Sequence, residues 1–148
     1  MAHPTGVLPP AVFVAASLAL ACSSPPPPLR RSPPKLELKP CGTEELRHGE
    51  GYNAAARECL WQAYQDRQPA EFTTTLYTIE GDPISYRVQL TPKAYIVTVD
   101  SKDRYGTQGV MTHKCETFER IRQDERPDRF GFALSRCTGG GSDRVGVP

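Results

Sequence analysis

The chain has 148 residues, five cysteines and a formal net charge of +1. This length suits one domain of ordinary size and is too short for two well-packed domains. From Cys41 onward the chain holds 14 Lys and Arg against 16 Asp and Glu, so the charge balance excludes the basic excess of a general nucleic-acid-binding protein.

Residues 1–21 are predicted to be a signal peptide. The run AVFVAASLALA at residues 11–21 is apolar except for Ser17. A transmembrane helix needs about 20 apolar residues, so this run is too short to span a bilayer and matches a signal-peptide h-region instead. One feature departs from the usual pattern, because the first basic residue is Arg30 and not a residue of the amino-terminal region.

Cys22 follows the apolar run directly. The sequence Ala19-Leu20-Ala21-Cys22 resembles a bacterial lipoprotein signal, in which a box of small residues precedes a cysteine. The resemblance implies diacylglycerol on the sulfur of Cys22 and acylation of its new amino terminus. Lipidation would remove the one cysteine that cannot pair within the chain, and two or three acyl chains anchor a protein firmly. Ordinary signal peptidase would instead release a secreted protein that begins at Cys22.

Residues 22–40 are predicted to form a lipidated cysteine followed by a tether. Seven of the 15 prolines fall between Pro25 and Pro40, and this stretch holds no aromatic residue. Such a composition cannot bury a core and favours polyproline II, which at about 3.1 Å per residue reaches up to about 55 Å. A PxxP ligand is the alternative, but modules that bind PxxP are mainly eukaryotic and cytosolic.

Residues 41–138 are predicted to form one α+β domain, with one N-terminal helix packed on an antiparallel meander sheet of about four to five strands. The helix is expected to begin after an N-cap at Asn53 and to end before Pro69. Its apolar positions recur at helical spacing, at Ala56, Cys59, Leu60, Ala63 and Tyr64. Trp61 lies at the edge of this stripe, and Arg57 is expected to stack on it.

The strands follow the helix, where the apolar period changes from 3.6 to 2. The predicted strands are residues 72–80, 84–90, 94–100, a less regular stretch from Met111 to Cys115, and 129–137. EGDP at residues 80–83 has the composition of a tight turn. Residues 139–148 are predicted to be a flexible tail.

The domain holds four cysteines, which are predicted to form disulfides because the chain is exported. Zinc is disfavoured, since a zinc site normally has ligands two to four residues apart. The four cysteines are Cys41, Cys59, Cys115 and Cys137, and they allow three pairings.

A hairpin register favours one of the three pairings. If residues 116–122 pair with 129–136 so that Phe118 lies opposite Leu134, the apolar side chains share one face and Cys115 lies opposite Cys137. Cys41 would then pair with Cys59. CETFERIR, residues 115–122, could also form a short helix, which would remove this register.

No catalytic constellation is visible, so no catalytic, metal or cofactor-binding residue is assigned and no cofactor is expected. His3 belongs to the signal peptide, His48 to a loop, and His113 is interpreted as a strand-surface residue rather than a general base. Asp100 and Asp103 could offer two carboxylates to calcium, but a third acidic ligand and the glycine placement of an EF-hand loop are missing.

Several short motifs together resemble an uncharacterised group of secreted bacterial domains. They are CGT at 41–43, EGDPI at 80–84, DSKDRYG at 100–106 and THKC at 112–115. The resemblance implies an exported domain with structural cysteines and carries no known activity.

The sequence therefore predicts a lipoprotein of the bacterial cell envelope, anchored through Cys22 and facing the periplasm or exterior. Its expected role is non-catalytic binding or an accessory role at the envelope. The expected partners are the membrane and an envelope protein, not nucleic acid. Two alternatives stay open: a small extracytoplasmic hydrolase that uses His113, and a purely structural envelope lipoprotein.

Overall fold

A computed structural model of the chain describes residues 36–48, 50–123 and 126–148. The predicted signal peptide, Cys22 and most of the predicted tether lie outside these residues. The described elements, in chain order, are β1 (Lys39–Leu46), α1 (Ala54–Gln65), β2 (Ala70–Tyr77), β3 (Pro83–Leu90), β4 (Tyr95–Ser101), β5 (Gly109–Cys115), β6 (Thr117–Gln123), β7 (Arg126–Ser135) and β8 (Arg144–Val147).

The first sheet has five strands in the order β1-β2-β3-β4-β5. Strands β2 to β5 form an antiparallel meander as predicted, but the predicted strand at residues 129–137 is not part of it, because that segment lies in β7 of the second sheet. Strand β1 is parallel to β2, and α1 makes the connection between these two strands, as a parallel pair requires. The helix is therefore not N-terminal as predicted, because β1 precedes it. KPCGTEEL does not alternate regularly between apolar and polar residues, so the sequence of β1 carries no clear strand signal.

Helix α1 has the predicted boundaries and apolar stripe. The side chain of Asn53 caps the helix by accepting a 3.0 Å hydrogen bond from the Ala56 amide. Of the predicted stripe, Ala56, Leu60 and Ala63 are buried. The helix thus packs one apolar face on the core, which explains why its pattern could be recognised in the sequence.

The second sheet has three strands in the order β6-β7-β8 and was not predicted. Its hairpin has the predicted register, with Phe118 opposite Leu134 and Arg120 opposite Phe132. The alternative of a short helix over residues 115–122 is therefore wrong. The prediction of a flexible tail over residues 139–148 is also wrong at its end, because β8 pairs with β7 and buries Val145 and Val147.

One hydrophobic core joins the helix to both sheets. The Phe132 ring of β7 stacks on Phe118 of β6 at 4.8 Å and meets Phe72 of β2 edge-on at 6.4 Å. The second sheet therefore packs on apolar side chains of the first sheet, within the same core as α1.

The two disulfides have the predicted pairing. Cys41–Cys59 joins β1 to α1, and Cys115–Cys137 lies where the chain passes from β5 into the second sheet. The paired residues are 18 and 22 positions apart. Loops of this size stabilise a fold by about 3 kcal/mol each in the chain-entropy model.

Arg57 does not stack on Trp61 as predicted. It is fully buried, where it forms two hydrogen bonds with the carboxylate of Glu44 and donates to the backbone carbonyls of Phe130 and Pro148. A buried charge needs a paired charge and hydrogen bonds, and this site supplies both. Arg57 therefore links β1, α1 and the second sheet.

Candidate functional site

His113 is a buried residue of β5 and not the strand-surface residue that the sequence indicated. Within the described part of the chain, its Nδ1 atom is buried and has no hydrogen-bond partner. Gly140 lies directly on the imidazole, since a Cβ atom there would come within 2.1 Å of Cε1. A general base needs an orienting partner and access to substrate. Among the described residues no carboxylate is hydrogen-bonded to His113 Nδ1, so the geometry that the hydrolase alternative requires is not present there.

The acidic loop residues are occupied by local contacts. Asp100 forms a 2.8 Å ion pair with Lys102, and Asp103 accepts a 2.9 Å hydrogen bond from the Tyr105 amide. Within residues 36–48, 50–123 and 126–148, no group of three His, Cys, Asp or Glu side chains is placed to hold a metal ion.

An aromatic cluster extends from the core to the surface beside the end of α1. It consists of Trp61, Tyr64, Tyr95 and Phe118. Tyr64 lies at its centre, with ring centroids 5.1 Å from Trp61, 5.1 Å from Phe118 and 5.6 Å from Tyr95. Phe118 is buried, whereas the other three rings are partly exposed. The sequence placed Trp61 at the edge of the helix stripe, but the contribution of β4 needed the tertiary fold.

A small pocket opens next to this cluster, and we call it the helix-end pocket. Its volume is about 190 Å³. The lining combines an apolar floor with hydroxyl, amide and guanidinium groups, from Ala63, Tyr64, Arg67, Gln68, Leu90, Thr91, Pro92 and Tyr95. Small-molecule sites usually have volumes of about 300–1,000 Å³. The helix-end pocket is smaller and suits one large side chain of a partner.

The backbone that ends α1 positions Arg67 at this pocket. The Arg67 amide bonds to Tyr64 O at 3.1 Å and the Gln68 amide bonds to Ala63 O at 2.8 Å, which is the pattern of a Schellman motif. Arg67 has a φ of +56°, although glycine or asparagine normally takes this left-handed position. An arginine in this conformation is less stable than glycine by about 1 kcal/mol. The chain therefore tolerates backbone strain at a residue that lines the pocket.

The electrostatics of the pocket favour an anionic or acceptor-rich partner. Of the described residues that line it, Arg67 is the one charged side chain, and it forms no ion pair or side-chain hydrogen bond in the described part of the chain. Asp66, its neighbour, instead accepts a hydrogen bond from Gln62. Burial raises the pKa of Tyr95, helped by the Tyr64 hydroxyl and opposed by the charge of Arg67. Tyr95 therefore stays neutral at physiological pH and can donate a hydrogen bond.

No protein-family model, curated protein or solved structure matches this chain. The described segments contain no helix that is both long enough and apolar enough to cross a membrane. The two disulfides indicate that the domain matures in an oxidising, extracytoplasmic compartment.

The sequence did not identify the helix-end pocket as a site. From the sequence, Tyr64 belongs to the apolar stripe of the helix and Tyr95 to the alternating face of a strand. One signal was available in the sequence: the helix ends at Asp66-Arg67-Gln68-Pro69, with no glycine or asparagine for its left-handed C-terminal position.

Proposed function

We propose that this protein is an extracytoplasmic binding domain, tethered to a membrane through a lipid on Cys22, that holds a protein partner at the helix-end pocket. The observation that carries this proposal is the juxtaposition of Trp61, Tyr64 and Tyr95 with an arginine that has no ion partner in the described residues. Tyr, Trp and Arg are the residues enriched in the hot spots of protein interfaces. A pocket that admits one side chain matches the way in which such hot spots anchor a partner.

The surface favours binding over a purely structural role. A spacer protein needs no exposed apolar residues, whereas this domain combines the pocket with the exposed side chains of Ile79, Tyr105 and Val110. Exposed apolar side chains that lie together on a surface are typical of a contact site.

A photo-crosslinking experiment tests the binding site. The full chain would carry p-benzoylphenylalanine at Gln68, which lines the pocket, or at Thr112, an exposed position of β5 that does not line it. After irradiation in the native envelope, we expect a defined adduct from the Gln68 position that disappears when Arg67→Ala is added. Equal adducts from both positions would contradict the proposal, since they would report proximity without a specific site.

The anchor has a separate test. Intact-mass measurement of the protein from the membrane fraction should show a diacylglyceryl and acyl modification, and Cys22→Ser should move the protein to the soluble extracytoplasmic fraction. An unmodified Cys22 in membrane-associated protein would overturn the anchor and leave the binding site untouched.

A further inference from the structure

Two turns at the end of the first sheet opposite the helix-end pocket expose large apolar side chains. They are residues 78–82, between β2 and β3, and residues 102–108, between β4 and β5; together we call them the distal tip. Ile79 is 91% exposed and Tyr105 is 79% exposed. A monomer in water gains nothing from presenting an isoleucine and a tyrosine on adjacent turns, so this surface is a candidate contact.

An arginine–carboxylate pair holds the two turns together. Arg104 donates from Nε and Nη2 to the two carboxylate oxygens of Asp82, at 2.8 and 2.7 Å, and its amide donates to the same carboxylate. Asp82 is itself positioned by a hydrogen bond from its amide to the Thr78 hydroxyl. Because the turns are already ordered, docking of the tip would cost little conformational entropy.

The distal tip carries net negative charge. Asp82 pairs with Arg104, and Lys102 pairs with Asp100, which leaves Glu80 and Asp103 without an ion pair among the described residues. The surface around the helix-end pocket carries net positive charge, since Arg67 lines the pocket and Lys93 lies in the adjacent turn, against the single carboxylate of Asp66 beside Arg67. The two surfaces are therefore complementary in charge and in shape: one presents a tyrosine, and the other has room for one large side chain.

The two surfaces lie at opposite ends of the same strands. The pocket includes Leu90 and Tyr95, which pair with each other at one end of β3 and β4. The tip lies beyond Ile84 and Ser101, which pair at the other end. Strands of this length separate their ends by about 20 Å, at about 3.3 Å per residue. One copy therefore cannot fill its own pocket with its own tip, whereas two copies can meet end to end.

We propose that the protein self-associates head to tail, with Tyr105 of one copy inserted in the helix-end pocket of a second copy. This inference rests on the proposed function, because it identifies the occupant of that same pocket. The inserted ring contacts Tyr64 and Tyr95, and the carboxylates of Glu80 and Asp103 face the guanidinium of Arg67. Such a contact is heterologous, so each pair leaves one pocket and one tip free for further copies.

Sedimentation equilibrium on the exported chain carrying Cys22→Ser tests the proposal without a lipid. The weight-average mass should rise above that of the monomer as the concentration approaches about 500 µM, because a contact anchored by one side chain is weak. Raising the salt from about 0.05 to about 0.5 M should weaken the association at least threefold, since the facing charges are exposed.

Two variants separate the two surfaces. Tyr105→Ser removes the inserted ring and keeps the pocket, whereas Arg67→Glu reverses the charge of the pocket and keeps the tip. Each variant alone should be monomeric, and an equimolar mixture should form a 1:1 pair and nothing larger. Tyr105 is exposed and Arg67 keeps its backbone conformation, so circular dichroism should show both variants folded.

Other outcomes would overturn the inference. A wild-type chain that stays monomeric over the whole range would do so, and so would undiminished association of Tyr105→Ser. If the wild type is monomeric but the Gln68 photo-adduct with another protein still depends on Arg67, the proposed binding function stands and only self-association fails.

Discussion

Two arginines of this domain each form a bidentate ion pair with a carboxylate, one in the interior and one at the surface. Arg57 donates from Nε and Nη2 to Glu44, and Arg104 donates from the same two atoms to Asp82. The side chains of Arg57 and Glu44 are 0% exposed, whereas those of Arg104 and Asp82 are 56% and 11% exposed. The geometry of the two pairs is alike, and their surroundings differ.

The difference shows how the surroundings decide the role of an ion pair. Arg57 also donates to the carbonyls of Phe130 and Pro148, and Glu44 accepts from the Asn53 amide at 2.8 Å. Removal of either partner would leave a charge buried and unpaired, which is costly. The Arg104 pair contacts water, so water can replace a lost partner. We infer that the interior pair holds the fold together, whereas the surface pair only shapes the distal tip.

The largest expected effect comes from breaking the interior pair. Glu44→Gln keeps the shape of the side chain but leaves the charge of Arg57 unpaired, so we expect a loss of about 3–5 kcal/mol in the free energy of unfolding. Urea denaturation followed by circular dichroism measures this loss. The double variant Glu44→Leu with Arg57→Met should recover part of it, because no charge stays buried. A loss below about 1 kcal/mol from Glu44→Gln would show that the pair is not needed for the fold.

The Cys41–Cys59 bridge links the same two elements as the interior pair, because Glu44 lies in β1 and Arg57 in α1. Replacing both cysteines with alanine should cost about 3 kcal/mol. Combined with Glu44→Gln, this change should be non-additive, since either change loosens β1 from α1. Removing the Cys115–Cys137 bridge instead provides the matched control, for which additivity with Glu44→Gln is expected. Additive losses in both cases would contradict the shared role.

A smaller effect is expected at the helix end, with the opposite sign. Arg67→Gly should stabilise the domain by about 1 kcal/mol, because glycine adopts the left-handed conformation without strain. Arg136 has a φ of +52° and pairs with Glu116 at the surface, so Arg136→Gly provides the matched control with a similar gain. Only Arg67→Gly should reduce the Gln68 photo-adduct. Loss of the adduct in both variants would mean that relief of strain, and not the lost guanidinium, disturbs binding.

The smallest effect is expected from the surface pair and concerns pH. Hydrogen bonds from Arg104 hold the pKa of Asp82 below its ordinary value. A lowered pKa in the folded state gives stability that is present above the unfolded-state pKa of about 3.9 and is lost as the pH falls through the folded-state value. Asp82→Asn should therefore destabilise the domain slightly at neutral pH and flatten its loss of stability below pH about 4. Thermal unfolding of both proteins, measured from neutral pH to below pH about 4, checks this prediction. If Asp82→Asn loses as much stability at acid pH as the wild type does, the prediction is refuted.

Local sequence patterns predicted the structure correctly where it depends on residues within a single helix, strand or hairpin. The Asn53 cap and the alternation along β3 act between residues a few positions apart, and Phe118 and Leu134 lie opposite each other within one hairpin. The same register placed Cys115 close to Cys137. Strand β8 was missed because RVGV is short and follows three glycines, which alone indicate a loop.

His113 shows why the candidate site was harder to predict. It shares a strand face with the buried Cys115, between the exposed Thr112 and Lys114, and Gly140 packs on its ring from a distant part of the chain. The helix-end pocket depends on the same kind of contact, because Tyr64 and Tyr95 lie 31 positions apart and meet only when α1 packs on β4.

The sequence by itself determined the helix, its cap and the strands of the antiparallel meander, favoured the observed pairing of the four cysteines, and predicts an exported chain with a lipid at Cys22. Only the tertiary structure decided that β1 runs parallel to β2, that Glu44 neutralises Arg57, and that aromatic rings from α1, β4 and β6 meet beside Arg67. The physical reason is the separation in sequence over which each interaction acts. Capping and strand period depend on residues a few positions apart, whereas burial, charge pairing and pocket shape depend on residues that only the folded chain brings together.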